Sequence, residues 1–332
     1  MRALVYEGPE RLAIRDVDEP APREGEGEVV VRVASVGICG SDMHAFLGHD
    51  ERRPAPLTLG HEAAGTVVGG PREGTRVTIN PLVGCGHCRA CSKGQPNLCP
   101  DRQILSLPPR EGAFAEMVAV PEANLVTVPD DVSFDRASLA EPLACGWHAA
   151  RLARGHGPEA FAEGPCVVIG GGTIGLGAAL SLKAQGAGPV SLAEPNAIRR
   201  PSIERAGFDV FDPASAAPVG NGTAPVVIDA VGYAKTRAHA CRLARAGGII
   251  AHIGLGSGEG GIDARRLTLQ EIAFLGTYTY TPEDFRETAR AIFDGRLGAL
   301  DWIETRALSE GAAAFADIRA GRVAEPKIVL RP

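Results

Sequence analysis

The chain has 332 residues, 45% of them hydrophobic and 22% charged, and carries a formal net charge of -6. That length exceeds one comfortable hydrophobic core and predicts two domains, while the mild acidity leaves no basic stripe and excludes nucleic acid as a partner. No apolar run approaches a membrane span, and the N-terminal Met-Arg-Ala-Leu-Val-Tyr-Glu-Gly lacks the apolar core of a secretory signal, so a cytoplasmic protein with no membrane partner is expected.

From residue 1 to about residue 140 the pattern is one of short, Val-rich strands separated by Gly and Pro, as in Glu28-Val-Val-Val-Arg-Val-Ala-Ser-Val36, Gly65-Thr-Val-Val68 and Phe114-Ala-Glu-Met-Val-Ala-Val120. Their β-branched residues predict a mostly antiparallel β domain. Within it, Cys85, Cys88, Cys91 and Cys99 stand in the spacing C-x2-C-x2-C-x7-C, which takes half of the chain's eight cysteines. Four thiolates on one loop can close a tetrahedral sulfur shell around zinc with no water position left, a site that holds structure and does no chemistry. An iron–sulfur cluster is the rival, because ferredoxins use C-x2-C-x2-C-x3-C-P and Pro100 follows Cys99. The longer last gap, and the lack of a second such set, favour zinc. Cysteines arranged as ligands also fit a reducing compartment better than a disulfide framework.

Around Ala140 the texture changes to Ala/Leu-rich helical segments alternating with apolar strands, Cys166-Val-Val-Ile169, Pro225-Val-Val-Ile-Asp229 and Gly248-Ile-Ile-Ala-His-Ile253, which predicts a parallel sheet. The first of these strands runs into Gly170-Gly-Gly-Thr-Ile-Gly175 and then a helical stretch. A GxGxxG in that context is a dinucleotide fingerprint: Gly170 makes the tight turn, Gly172 admits the pyrophosphate, and Gly175 allows close helix–strand packing. The diphosphate would lie on the helix N-terminus. The next apolar segment ends in Glu194, near the acidic position that accepts both ribose hydroxyls and repels a 2′-phosphate, so NAD is favoured over NADP. Arg199 and Arg200 pull the other way, since an arginine can bind that phosphate; they also read as solvated helix charges or a lid over the adenine. After about Gly276 come helical stretches near 282–293 and 309–320 and a last strand, Lys327-Ile-Val-Leu330. A nucleotide-binding sheet has no use for that strand, which is free to return to the first domain.

Cys39 in Gly37-Ile-Cys-Gly-Ser-Asp-Met-His44, His61-Glu62 in Gly60-His-Glu-Ala-Ala-Gly65, and Glu141 in Ala140-Glu-Pro-Leu are ligand-type residues, but singly each reads as well as a buried cysteine, a loop histidine or a surface acid. Together with the cysteine lobe and the nucleotide fingerprint, they make the chain resemble the zinc-dependent medium-chain alcohol dehydrogenases, nearest in texture to the polyol and threonine dehydrogenase branch. The resemblance covers essentially the whole chain. It implies a Rossmann domain, 141–276, inserted into a GroES-like catalytic domain, 1–140 and 277–332, that carries a structural zinc lobe at 84–100. It also implies two zinc ions per chain, with Cys39, His61 and Glu141 as catalytic ligands, and with Glu62 as a neighbouring acid that binds zinc directly or alternates with water. In the same pattern Asp42 holds His61, Ser41 contacts the substrate oxygen and His44 relays its proton. A Glu at 141 resembles the polyol and secondary-alcohol branch, so the expected substrate is a small alcohol or polyol oxidised to a ketone, and the expected assembly a homodimer or homotetramer. One departure stands out: Thr66–Arg76 is shorter than the family pattern and lacks its Gly-Asp-Arg-Val, which is expected to prune a surface hairpin. Two other functions compete with this one. A zinc-free quinone or enoyl reductase would have no use for Cys39, His61 and the cysteine lobe, and a non-catalytic nicotinamide-binding iron–sulfur module would be coloured.

Overall fold

The computed structural model describes residues 1–23, 25–215 and 218–332. They divide into two compact units: Met1–Glu141, Thr281–Gly295 and Ile303–Pro332 form one, and Pro142–Tyr280 with Arg296–Trp302 form the other. These limits correct the expected boundaries. Residues 277–280 stay with the nucleotide-binding unit because the Thr277 N–H and hydroxyl both donate to the His252 carbonyl. Arg296–Trp302 returns to that unit, and Leu297, Leu300 and Trp302 are buried.

Among the described residues the first unit is organised on a seven-stranded sheet. Its central strand, Glu28–Gly37, pairs antiparallel with Glu62–Val68, Met117–Pro121 and the C-terminal Lys327–Arg331. The pairing with Glu62–Val68 shifts register between Val33 and Ser35, and beyond the shift Gly37 lies opposite Glu62. Such an irregularity re-aims the end of a strand. Here it lies just before Cys39. Val31, Val33 and Val36 of the central strand are buried with Phe46, Phe114 and Phe315, and Phe315 stacks at 5.2 Å on Phe46 and edge-on at 6.0 Å on Phe114. Each such side chain contributes about 1.5–3 kcal/mol by leaving water. The shortened Thr66–Arg76 segment forms a tight hairpin, with Thr66 opposite Arg76 and Val67 bonded to Thr75.

The second unit is built, among the described residues, on a six-stranded parallel sheet in the spatial order Asp209–Phe211, Val190–Ala193, Cys166–Ile169, Ala224–Asp229, Ala244–His252, Ala273–Gly276. Cys166–Ile169 and Ala224–Asp229 are buried at every position, as continuous apolar runs must be in a sheet covered on both faces. Strand order reverses beside Cys166–Ile169, so the crevice at its carboxyl end is the natural ligand position of such a fold. The protein is thus an antiparallel-rich β unit interrupted by a Rossmann-type α/β unit.

Candidate active site and metal centres

Cys39 caps the helix Gly40–Phe46, and His61 and Glu62 stand where the strand Glu62–Val68 begins. Their ligand atoms all lie within 4.8 Å of one another. Asp42 fixes two of them. Fully buried, it accepts from the Cys39 N–H at 3.0 Å and the Gly60 N–H at 3.3 Å, and its other contact is the His61 Nδ1 at 3.5 Å. The Ser106 hydroxyl also meets Nδ1, at 3.4 Å, which leaves Nε2 for a metal. Burial alone would depress the His61 pKa, but the Asp42 carboxylate outweighs it and holds the imidazole well above its ordinary value. A half-buried thiol beside a buried imidazole and a buried carboxylate gives the mixed sulfur, nitrogen and oxygen donors of catalytic zinc sites, so the donor set fits the metal.

Glu141, in the first turn of Ala140–His156, is buried, but it is not among the residues whose ligand atoms fall within that 4.8 Å. The structure brings together Cys39, His61 and Glu62 and leaves out the fourth predicted ligand. Lys327 has a share in this arrangement. Its ammonium donates to both Glu62 oxygens, at 2.6 and 2.9 Å. Burial would lower its pKa, yet attraction to Glu62, Cys39 and Glu141 outweighs burial and raises it. Ser41 is half-buried, and its carbonyl accepts from Arg53. His44 is exposed, with its ring 6.5 Å from that of His49. Sequence reasoning missed Lys327, Arg53 and Ser106. Arg53 is 4% exposed and donates to the Ser41 carbonyl, the Ser106 carbonyl and hydroxyl, and Asp50, tying the loop after Gln103–Ile104 to the helix that follows Cys39. The one available signal was a lysine opening an otherwise apolar strand.

Cys85, Cys88, Cys91 and Cys99 also place their sulfurs within 4.8 Å of one another, with all four as free thiols. The Cys85 and Cys91 sulfurs are 4.0 Å apart. A tetrahedral zinc shell needs about 3.8 Å between sulfurs, from its metal–sulfur distance. Without a cation the thiols cannot ionise together. The His87 and Cys88 N–H groups pull Cys85 down to about 6, while burial pushes Cys91 up to about 12. A divalent ion removes that conflict, and the closed set of soft donors fits structural zinc.

In the second unit Gly170 has φ +99°, and a Cβ at Gly175 would come 1.8 Å from the Gly170 carbonyl oxygen, so both positions require glycine. Gly172 caps the helix Thr173–Ala184, with open space where its Cβ would be. Glu194 is buried beside the turn, accepting from the Gly171 N–H at 2.8 Å and the Asn196 N–H at 2.7 Å. Arg199 approaches Glu194 at 3.8 Å, and Arg200 is paired with Asp212.

Residues 25–130 match the alcohol dehydrogenase GroES-like domain, and residues 173–294 match the zinc-binding dehydrogenase family. The chain is 33% identical over 314 residues to L-galactonate-5-dehydrogenase of Escherichia coli (strain K12), covering 90% of this chain and 89% of that protein. A solved zinc-binding dehydrogenase of Sinorhizobium meliloti 1021, bound to NADP, is 30% identical with a TM-score of 0.88, over 100% of this chain and 99% of that one. An alcohol dehydrogenase of Escherichia coli CFT073, complexed with NADH, is 26% identical with a TM-score of 0.87, over 100% and 99%.

Proposed function

Because the chain belongs to the zinc-dependent medium-chain alcohol dehydrogenases, we propose that it transfers a hydride reversibly between a secondary alcohol of a small polyol or related polyhydroxylated compound and a nicotinamide cofactor, with NAD preferred over NADP. The observation that carries this reading is the meeting of half-buried Cys39 with buried His61 and Glu62, their ligand atoms within 4.8 Å of one another. Cys39 and His61 would hold the catalytic zinc, with Glu141 as the third ligand and Glu62 beside it. Zinc bound there supplies Lewis acidity that makes an alcohol oxygen acidic near neutral pH.

The residues of the chain position, exclude and move protons. Asp42 keeps His61 in the orientation that frees Nε2. Ser41, two residues beyond Cys39, receives the hydroxyl proton, and the exposed His44 returns it to solvent. The turn Gly170, Gly172 and Gly175 and the N-terminus of Thr173–Ala184 seat the cofactor diphosphate. A nicotinamide held there would supply the hydride acceptor. Glu194, fixed by two N–H groups, takes the ribose hydroxyls. Arg199, facing Glu194, is then engaged by a carboxylate and is not reserved for a 2′-phosphate. The relative from Escherichia coli K12, whose name places its reaction at position 5 of L-galactonate, supports a polyhydroxylated substrate. The enzyme works in the cytoplasm as a homodimer or homotetramer. Eight free cysteines and the family resemblance support these two statements in turn.

Cys39→Ala tests the site. Alcohol oxidation is expected to vanish while nicotinamide binding, read by fluorescence titration, stays close to wild type. Near-normal turnover in that variant would sink the assignment.

A further inference from the structure

Lys327 is 2% exposed, and all three of its ammonium protons have acceptors: Glu62 Oε2 at 2.6 Å, Glu62 Oε1 at 2.9 Å and the Ile38 carbonyl at 2.8 Å. It opens the strand Lys327–Arg331. That strand sets Val329 opposite Gly37, and Gly37 in turn lies opposite Glu62. A Cβ at position 37 would lie 2.0 Å from Glu62 Oε2, so the glycine is what allows the carboxylate to lie against the strand and reach the lysine. The proton path and hydride transfer described above have no part for a lysine, yet this one is built into the centre of the donor cluster's charge. Ionised Cys39, Glu62 and Glu141 carry three negative charges. A divalent cation balances two of them, and Lys327 balances the third. Asp42 lies outside this balance, facing the His61 ring first and the Arg53 guanidinium more weakly. A buried cluster left with net charge costs several kcal/mol per ion, roughly, so this balance matters to the fold as well as to the metal.

We propose that Lys327 is a positioning residue that holds Glu62 back from the catalytic zinc and so keeps a coordination position open for the substrate oxygen. This rests on the reading of Cys39, His61 and Glu141 as zinc ligands. Glu62 has an oxygen within 4.8 Å of the Cys39 sulfur and a His61 ring nitrogen, and both its oxygens accept from the ammonium. Released, it would add a fourth protein ligand and turn an open catalytic shell into a closed one of the structural kind. The signs of the effects follow from that. Loss of a merely supporting residue loosens a metal. Loss of Lys327 tightens it and shuts out the alcohol.

The experiment uses protein with zinc in the four-cysteine lobe and cobalt(II) in the catalytic site. In Lys327→Met the visible cobalt bands are expected to shift as a carboxylate oxygen takes the position otherwise open to water or alcohol. In the same variant loaded with zinc at both sites, loss of zinc from the catalytic site to a chelator should slow roughly 10- to 100-fold, the range over which outer partners tune metal sites. KM for the alcohol should rise while KM for the nicotinamide cofactor does not. Lys327→Arg should retain the wild-type bands, and adding Glu62→Gln to Lys327→Met should restore them. Unchanged bands, or faster zinc loss in Lys327→Met, would overturn the proposal. If Lys327→Met does not fold, Gly37→Ala displaces the carboxylate without removing the buried charge; it should give the same band change, and wild-type bands there would equally overturn it. Cys39→Ser separates the two readings. It should abolish the sulfur-to-cobalt charge-transfer band of this site, and its persistence would refute the metal assignment itself.

Discussion

Asp42 commits its two oxygens to the Cys39 N–H, the Gly60 N–H and the His61 ring, so one buried carboxylate orients both the sulfur and the imidazole of the candidate metal site. Asp42→Asn is expected to keep the fold and weaken zinc binding at this site by roughly 10- to 100-fold, measured by competition with a chromogenic chelator. This link was legible in the sequence because Asp42 lies three residues from Cys39 and the resemblance names its partner. Lys327 was not legible: a lysine at a strand end reads as a solvated charge, and only a contact across 265 residues buries it. Arg110 is a similar case, its side chain 3% exposed and paired with the Glu28 side chain, 1% exposed. Burial would raise the Glu28 pKa, but the Arg110 hydrogen bond and charge outweigh it and lower the pKa. A depressed carboxyl stabilises the fold fully above its unfolded value of about 4.3, and the contribution is lost as pH falls through the lower folded value. Arg110→Met should therefore cost about 3–5 kcal/mol at neutral pH, and the deficit should shrink in acid. Urea unfolding at several pH values checks both the size and the sign.

Among the elements, the inner strands of the parallel sheet were readable, because burial on both faces demands continuous apolar runs such as Cys166–Ile169 and Val190–Ala193, whereas its edge strands Asp209–Phe211 and Ala273–Gly276 were not. Strands of two residues, Leu57–Thr58 and Leu82–Val83, were not readable, since they exist only through partners elsewhere in the chain. The register shift in Glu28–Gly37 also escaped, because nothing local marks it. The glycine turn makes a sharp demand: Gly175→Val drives side-chain atoms into the Gly170 carbonyl. It should abolish nicotinamide binding by titration while leaving the metal content of the first unit intact. The cysteine lobe was legible from spacing alone, and the four sulfurs do converge. Metal analysis of protein purified without added metal should give about two zinc ions per chain, and Cys88→Ser about one. Iron with sulfide would contradict the lobe's assignment.

For the whole molecule, sequence texture separated a β-rich unit from an α/β unit but put the junctions a few residues off. Those junctions depend on tertiary bonds such as Thr277 to His252 and on the burial of Trp302. The return of the C-terminal strand was expected only because the parallel sheet had no place for it. What holds that strand to the first unit is its antiparallel pairing with Glu28–Gly37 and the buried Lys327. No helix among the described residues is long and apolar enough to cross a membrane. The account as a whole stands on one reaction, and the most direct test is a panel of polyols, sugar acids and simple secondary alcohols assayed with NAD and with NADP by the absorbance of the reduced nicotinamide. The account predicts that polyhydroxylated secondary alcohols reduce NAD, with a weaker response from NADP. Failure of every alcohol to reduce either cofactor with zinc-replete protein would contradict it.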